Sequence, residues 1–180
     1  MELSGIVRRL DDLGRLVIPK EMRDRMGIGK NEEMQITVDE DRIILRKFSA
    51  IKNLKSISDT FCEQIARETG STVYVFDREK FVSATSNCKR FEDQPISDKV
   101  KEIIEANKSY IACTYDNTTL LPLLQNGFDI EYECQLIYPI MAQGICAGGI
   151  MIVRSEHPYT ETDIKIVKFA SAMFGQLLLA

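Results

Sequence analysis

From Leu3 to Leu10 the chain alternates imperfectly, with Leu3, Gly5 and Val7 on one side and Ser4, Ile6 and Arg8 on the other, which predicts a first strand. Asp11, Asp12 and Gly14 predict a tight loop, Gly14 being free to take a positive φ. Arg15 to Ile18 reads as a second short strand, stopped by Pro19. Lys20 to Met26 then carries helix-forming residues up to Gly27, a C-terminal cap. Met34, Ile36 and Val38 alternate with polar residues, Asp39 to Asp41 is turn-like, and Arg42 to Phe48 is again apolar, so this stretch reads as a β-hairpin. Four short strands and one small helix in 48 residues bury too little apolar surface to stand alone, and a dimer made by exchanging hairpins is expected.

After Ser49 the period lengthens. Ile51, Leu54, Ile57, Phe61 and Ile65 recur every three or four residues, predicting a helix that ends near Gly70 and joins two parts of the chain. The stripe itself leaves open whether this helix packs on its own domain or on a second subunit. Thr72–Phe76 and Phe81–Thr85 read as a hairpin around Asp77–Lys80. Ile96, Val100, Ile103 and Ile104 mark a helix ending near Asn107, and Tyr110–Tyr115 is a further strand, followed by a loop through Asn126 and Gly127. Phe128–Met141 and Ile145–Arg154 predict two long strands around Gln143–Gly144, the second apolar enough to be central. Thr160 and Asp163 form a capping pair for a last helix with Ile164, Val167, Phe174, Leu177 and Leu178 on its apolar face. The expected organisation is a unit over 1–48, a linking helix over 49–70 and an α+β domain over 71–180, with no internal repeat.

Composition changes this picture little. With 44% apolar and 28% charged residues in 180, the chain is that of a folded protein, and its longest apolar runs are too short to cross a bilayer. The N-terminus has no apolar signal region, so a cytoplasmic protein is expected. Cys62, Cys88, Cys113, Cys134 and Cys146 are odd in number and contain no C-x-x-C, which predicts unlinked, reduced thiols and neither a metal site nor a cofactor.

Charge matters more by position than by total. The net charge is −4, yet residues 1–30 hold seven basic and five acidic side chains. Within GIVRRLDDLGRLVIPKEMR, residues 5–23, stand Arg8, Arg9, Arg15 and Arg23, and Arg25 follows directly. A guanidinium fork grips phosphate or the O6 and N7 edge of guanine, and a dimer presents each fork twice. Arginines on a solvated strand face paired with Asp11, Asp12 and Glu21 would give the same spacing, so spacing alone does not choose.

The motifs G-I-V-R, D-x-L-G-R and V-I-P-x-E in that order, continuing to ITVDEDRIILRKF, resemble the AbrB family of bacterial transition-state regulators over residues 1–48. The layout of the remainder is similar to a GAF domain. The resemblance implies a mixed fold: a dimeric N-terminal swapped-hairpin β-barrel followed by a C-terminal α+β GAF-like domain. It implies double-stranded DNA as partner, held by Arg8, Arg9, Arg15, Arg23 and Arg25, in a nucleoid-associated regulator of sporulation or transition-state genes. Asp24 departs from the family, many members of which carry a basic residue there. The GAF-like layout implies either a small-molecule pocket, for which Tyr74, Phe76, Tyr115, Phe128 and Tyr138 are the candidate lining, or assembly of a tetramer through the domain's helices. Two other readings follow from resemblance: an antitoxin, which uses the same N-terminal fold, and a thiol-dependent methionine sulfoxide reductase, which some GAF-like proteins are. The second needs a low-pKa thiolate, whereas Cys113, Cys134 and Cys146 fall in apolar strands. His157 is the sole histidine, which leaves no Ser/His/Asp set and no enzyme expected.

Overall fold

The computed structural model describes residues 5–30, 32–125, 127 and 130–179. The chain divides into two compact units, Met1–Phe48 and Ser49–Ala180.

In the first unit, helix α1 (Lys20–Met26) starts after Pro19 and stops at Gly27, whose φ of 60° and bond to the Asp24 carbonyl, with Ile28 N–H on the Arg23 carbonyl, make a left-handed cap. Strands β1 (Met34–Asp39) and β2 (Arg42–Lys47) pair antiparallel, with Ile36 opposite Leu45 and Val38 opposite Ile43. The strands expected over Leu3–Leu10 and Arg15–Ile18 are absent among the described residues, which run without regular structure from Gly5 to Pro19 apart from the Asp12–Gly14 turn; Leu3 and Ser4 lie outside the described residues. A strand needs a neighbour for its ladder bonds, and one chain offers these segments none. No described residue of this unit is buried.

The second unit is built on a five-stranded antiparallel sheet in the order β4-β3-β7-β6-β5, from β3 (Thr72–Asp77), β4 (Phe81–Ala84), β5 (Tyr110–Cys113), β6 (Cys134–Ala142) and β7 (Ile145–Arg154). The two-residue side-chain period sorts each strand onto two faces. Val73, Val75, Leu136, Ile150 and Ile152 face helices α2 (Ala50–Asn53), α3 (Lys55–Thr69) and α5 (Glu161–Leu177), meeting Ile51, Cys62, Ile65, Val167 and Phe174. Tyr74, Phe76, Ile137, Met151 and Val153 face helix α4 (Asp98–Glu105) and the loops, meeting Phe91, Val100, Ile104, Leu121 and Leu123. The stripe on α3 is thus covered by its own sheet.

Three further expectations are corrected. The single helix over 51–69 breaks at Leu54, where φ is −103° and ψ 29°; Ser49 caps the short α2, which seats Ile51 against the bend at Gly148 in β7. The strand expected from Phe128 begins only at Cys134. Upstream of it Leu121 is held by Gln135, which accepts from its N–H and donates to its carbonyl, and by the Tyr132 hydroxyl at 2.6 Å, so those groups serve a packed loop rather than a ladder. The cysteines are not all unlinked: Cys113 and Cys134 stand opposite each other on β5 and β6, Cα atoms 4.1 Å apart, and their sulfurs are bonded. The capping pair does form, Thr160 Oγ1 accepting the Asp163 N–H and Asp163 accepting the Thr160 N–H.

Candidate nucleic-acid interface

Asp11 organises the loop that carries Arg15. Its Oδ1 accepts the N–H groups of Leu13 at 3.0 Å and Arg15 at 2.7 Å, Oδ2 takes Arg15 Nε at 2.7 Å, and its own N–H and carbonyl bond Arg15 and Gly14. The backbone N–H of Arg15, and next its side chain, hold the Asp11 carboxyl below the usual carboxylate range. Gly14 turns the chain at a φ of +73°. The loop therefore fixes Arg15 at Nε while the fork end of its side chain stays exposed.

Arg8 and Arg9 are exposed on the irregular segment before this loop, and Arg23 and Arg25 are exposed on α1. At 100° per residue, Met22 and Met26 share one side of α1, Arg23 and Arg25 flank it, and Lys20 and Asp24 occupy the opposite pole. Met22 and Met26 line an apolar concavity of about 250 Å3 with Ile6, Leu16, Ile18 and Leu45. All five sequence-predicted arginines are thus surface groups of one unit, and Asp24 sits between two of them in sequence on the outward side.

The hairpin adds what sequence reasoning did not single out. Ile36, Val38 and Ile43 lie on one face in adjacent registers and are 66%, 77% and 72% exposed. An apolar face of this kind on a unit with no described residue buried calls for a covering partner.

Of the five aromatic residues expected around a pocket, the four described ones are not gathered together. Tyr74 and Phe76 are fully buried on the α4 side of the sheet, their rings 5.2–5.9 Å from those of Phe81 and Phe91. Tyr138 packs on the opposite face with the α3 and α5 residues, and Tyr115 is exposed, donating its hydroxyl to the Ser155 carbonyl. Phe128 lies outside the described residues. The Tyr74 hydroxyl is buried beside the Cys88 thiol without a hydrogen bond of good geometry, and burial, then Cys88, raises its pKa. Burial pushes the Cys62 thiol up to about 12 and raises that of Cys146, the reverse of what nucleophilic thiols require. Among the described residues no cluster of metal-ligating side chains occurs.

The chain thus has two parts, a β unit that carries an exposed set of arginines and an antiparallel sheet flanked by helices. The model of the stage V sporulation protein T C-terminal, transcription factor, matches residues 53–178, and that of MazE, a bacterial antitoxin of the antidote-toxin recognition type, matches residues 7–52. The chain belongs to the family of the stage V sporulation protein T C-terminal transcription factor. It is 28% identical over 178 residues to stage V sporulation protein T of Bacillus subtilis, covering 98% of both chains, and 48% identical over 48 residues to the transition state regulatory protein AbrB of the same organism, covering 27% of this chain and 50% of that one. In fold it is similar to the GAF domain of an Acinetobacter phosphoenolpyruvate-protein phosphotransferase (TM-score 0.54, 10% identity, 74% of this chain and 84% of that one). It is equally similar to the type II free methionine-R-sulfoxide reductase of Thermoplasma acidophilum (TM-score 0.54, 12% identity, 71% and 94%). The protein is therefore a DNA-binding transcription regulator with an AbrB-like N-terminal region and a GAF-like C-terminal domain.

Proposed function

We propose that residues 1–48 bind double-stranded DNA as a homodimer, through Arg8, Arg9, Arg15, Arg23 and Arg25, in a cytoplasmic, nucleoid-associated regulator of sporulation or transition-state genes that is not an enzyme. The observation that carries this reading is a 48-residue unit with no described residue buried, bearing both exposed arginines and the uncovered face of Ile36, Val38 and Ile43. A second copy exchanging hairpins would cover that face and supply ladder partners to the 5–18 segment. Arginines meeting phosphates would set affinity and its salt dependence, and those reaching base edges would set sequence choice.

In the second unit, the helices are proposed to assemble two dimers. Phe169 and Met173, one turn apart on α5, are 68% and 42% exposed, an apolar strip at helical spacing. This observation favours assembly over a small-molecule sensor, since Tyr74 and Phe76 are engaged in packing. The test of the DNA reading is fluorescence anisotropy on promoter duplexes with an Arg8→Ala, Arg15→Ala, Arg23→Ala variant. Its binding should fall sharply with the circular dichroism spectrum unchanged, and parent-level binding at matched salt would overturn the assignment. An antitoxin role would instead show as a small protein copurifying with the native chain.

A further inference from the structure

We propose that Cys113 and Cys134 form a reversible thiol–disulfide latch, oxidised by a low-molecular-weight disulfide, that closes the stem of the loop packed over the aromatic core. Cys113 ends β5 and Cys134 begins β6, in direct register. The Cys113 N–H bonds Thr118 Oγ1 and the Thr114 N–H bonds the Glu133 carbonyl, so the two cysteines form a pair without ladder bonds between them, the arrangement in which opposed side chains approach closest. Their Cα atoms are 4.1 Å apart and their sulfurs are bonded. A DNA-binding regulator works where DNA is, and in such compartments small thiols keep cysteines reduced, so a disulfide there acts as a transient, redox-responsive link rather than a permanent staple. That step rests on the DNA-binding assignment; the pairing itself does not.

The chain between the two cysteines delivers Leu121, Leu123 and Tyr132 to the aromatic core. Gln135 and Tyr132 hold Leu121 through hydrogen bonds that involve neither cysteine. Oxidation closes the ends of the same loop and ties β5, an edge strand whose one sheet neighbour is β6, to the sheet.

The chemistry balances. Cys113 is buried, so edge strand β5 must first open locally; the Cys113 thiolate then attacks one sulfur of the small disulfide, forming a mixed disulfide and expelling one small thiolate. The Cys134 thiolate then attacks the Cys113 sulfur and expels the second. Two protein thiols lose two protons and two electrons; the small disulfide gains both and leaves as two thiols. Excess small thiol reverses the sequence.

The full-length chain is incubated with oxidised glutathione or with dithiothreitol, quenched in acid, denatured and labelled with N-ethylmaleimide. Mass spectrometry should find five labels after reduction and three after oxidation, of the five cysteines present, with the loss mapped to Cys113 and Cys134 and restored by thiol under native conditions. Oxidation should raise the melting temperature by roughly 10 °C, as closure of a loop of about twenty residues implies, and should slow amide hydrogen exchange over residues 110–118. Both effects should vanish in Cys113→Ser, Cys134→Ser. Five labels after oxidation, a loss at other cysteines, or a link that native thiol cannot reopen would each overturn the proposal. The label count needs no variant and is read independently of any DNA measurement.

Discussion

Replacing Ile43 by Ala tests whether the uncovered hairpin face is where two chains meet. Isoleucine carries three more aliphatic carbons than alanine, worth about 0.8 kcal/mol each when buried, or about 2.4 kcal/mol. Ile43 is 72% exposed in the single chain, so complete burial by a partner would gain about 1.7 kcal/mol per protomer, and symmetry doubles this to about 3.4 kcal/mol. At 1.4 kcal/mol per decade, the dimer dissociation constant should rise roughly 300-fold. Thr37 lies on the opposite hairpin face, paired with Ile44, and Thr37→Ala is the control. Sedimentation velocity over a concentration series measures both, with circular dichroism verifying the fold. An Ile43→Ala dissociation constant within a few-fold of the parent, or an equal effect from Thr37→Ala, would refute the assignment of this face.

Three other outcomes follow from the geometry. Asp24→Lys on the outward pole of α1 should tighten DNA binding by on the order of tenfold at low salt and steepen its salt dependence by titration in anisotropy; unchanged affinity would place that pole away from the duplex. Gly175→Ala drives a Cβ into the Met141 carbonyl, so α5 must shift from β6 and stability should fall by about 1–3 kcal/mol in denaturant titration. Asp163 is partly desolvated, which disfavours its charge, but the Thr160 bonds and Arg154 at 3.0 Å outweigh this and lower its pKa. A lowered folded pKa contributes stability above the unfolded value near 3.8 and loses it as pH falls through the folded value, so melting temperature should drop more steeply in acid for the parent than for Asp163→Asn.

What could be read in advance was what neighbours in sequence decide. Pro19 and Gly27 bracket α1, alternation over 34–38 and 42–48 gives the hairpin, and Thr160 with Asp163 starts α5, because each signal acts within one turn or one pair of strands. What could not be read depended on partners far along the chain or outside it. The segment from Gly5 to Pro19 has strand-like alternation but no strand, because ladder partners are missing from its own chain. Cys113 meets Cys134 through a register set across a long loop, which no count or spacing of cysteines reveals. Tyr138 is an aromatic strand residue like Tyr74 and Phe76, but Ile137 faces their side of the sheet, so period two sends Tyr138 to the other. The arginines are legible as a set because they are polar surface residues close in sequence, whereas the shared face of Ile36, Val38 and Ile43 depends on the cross-strand register, which the alternation alone does not give.

The most direct test of DNA binding by the N-terminal arginines is the slope of log binding constant against log salt for the parent and for the Arg8→Ala, Arg15→Ala, Arg23→Ala variant. If each of these arginines meets one phosphate, a dimer loses six contacts, and at about 0.9 per contact the slope should become shallower by about 5. A variant slope equal to that of the parent would contradict the account.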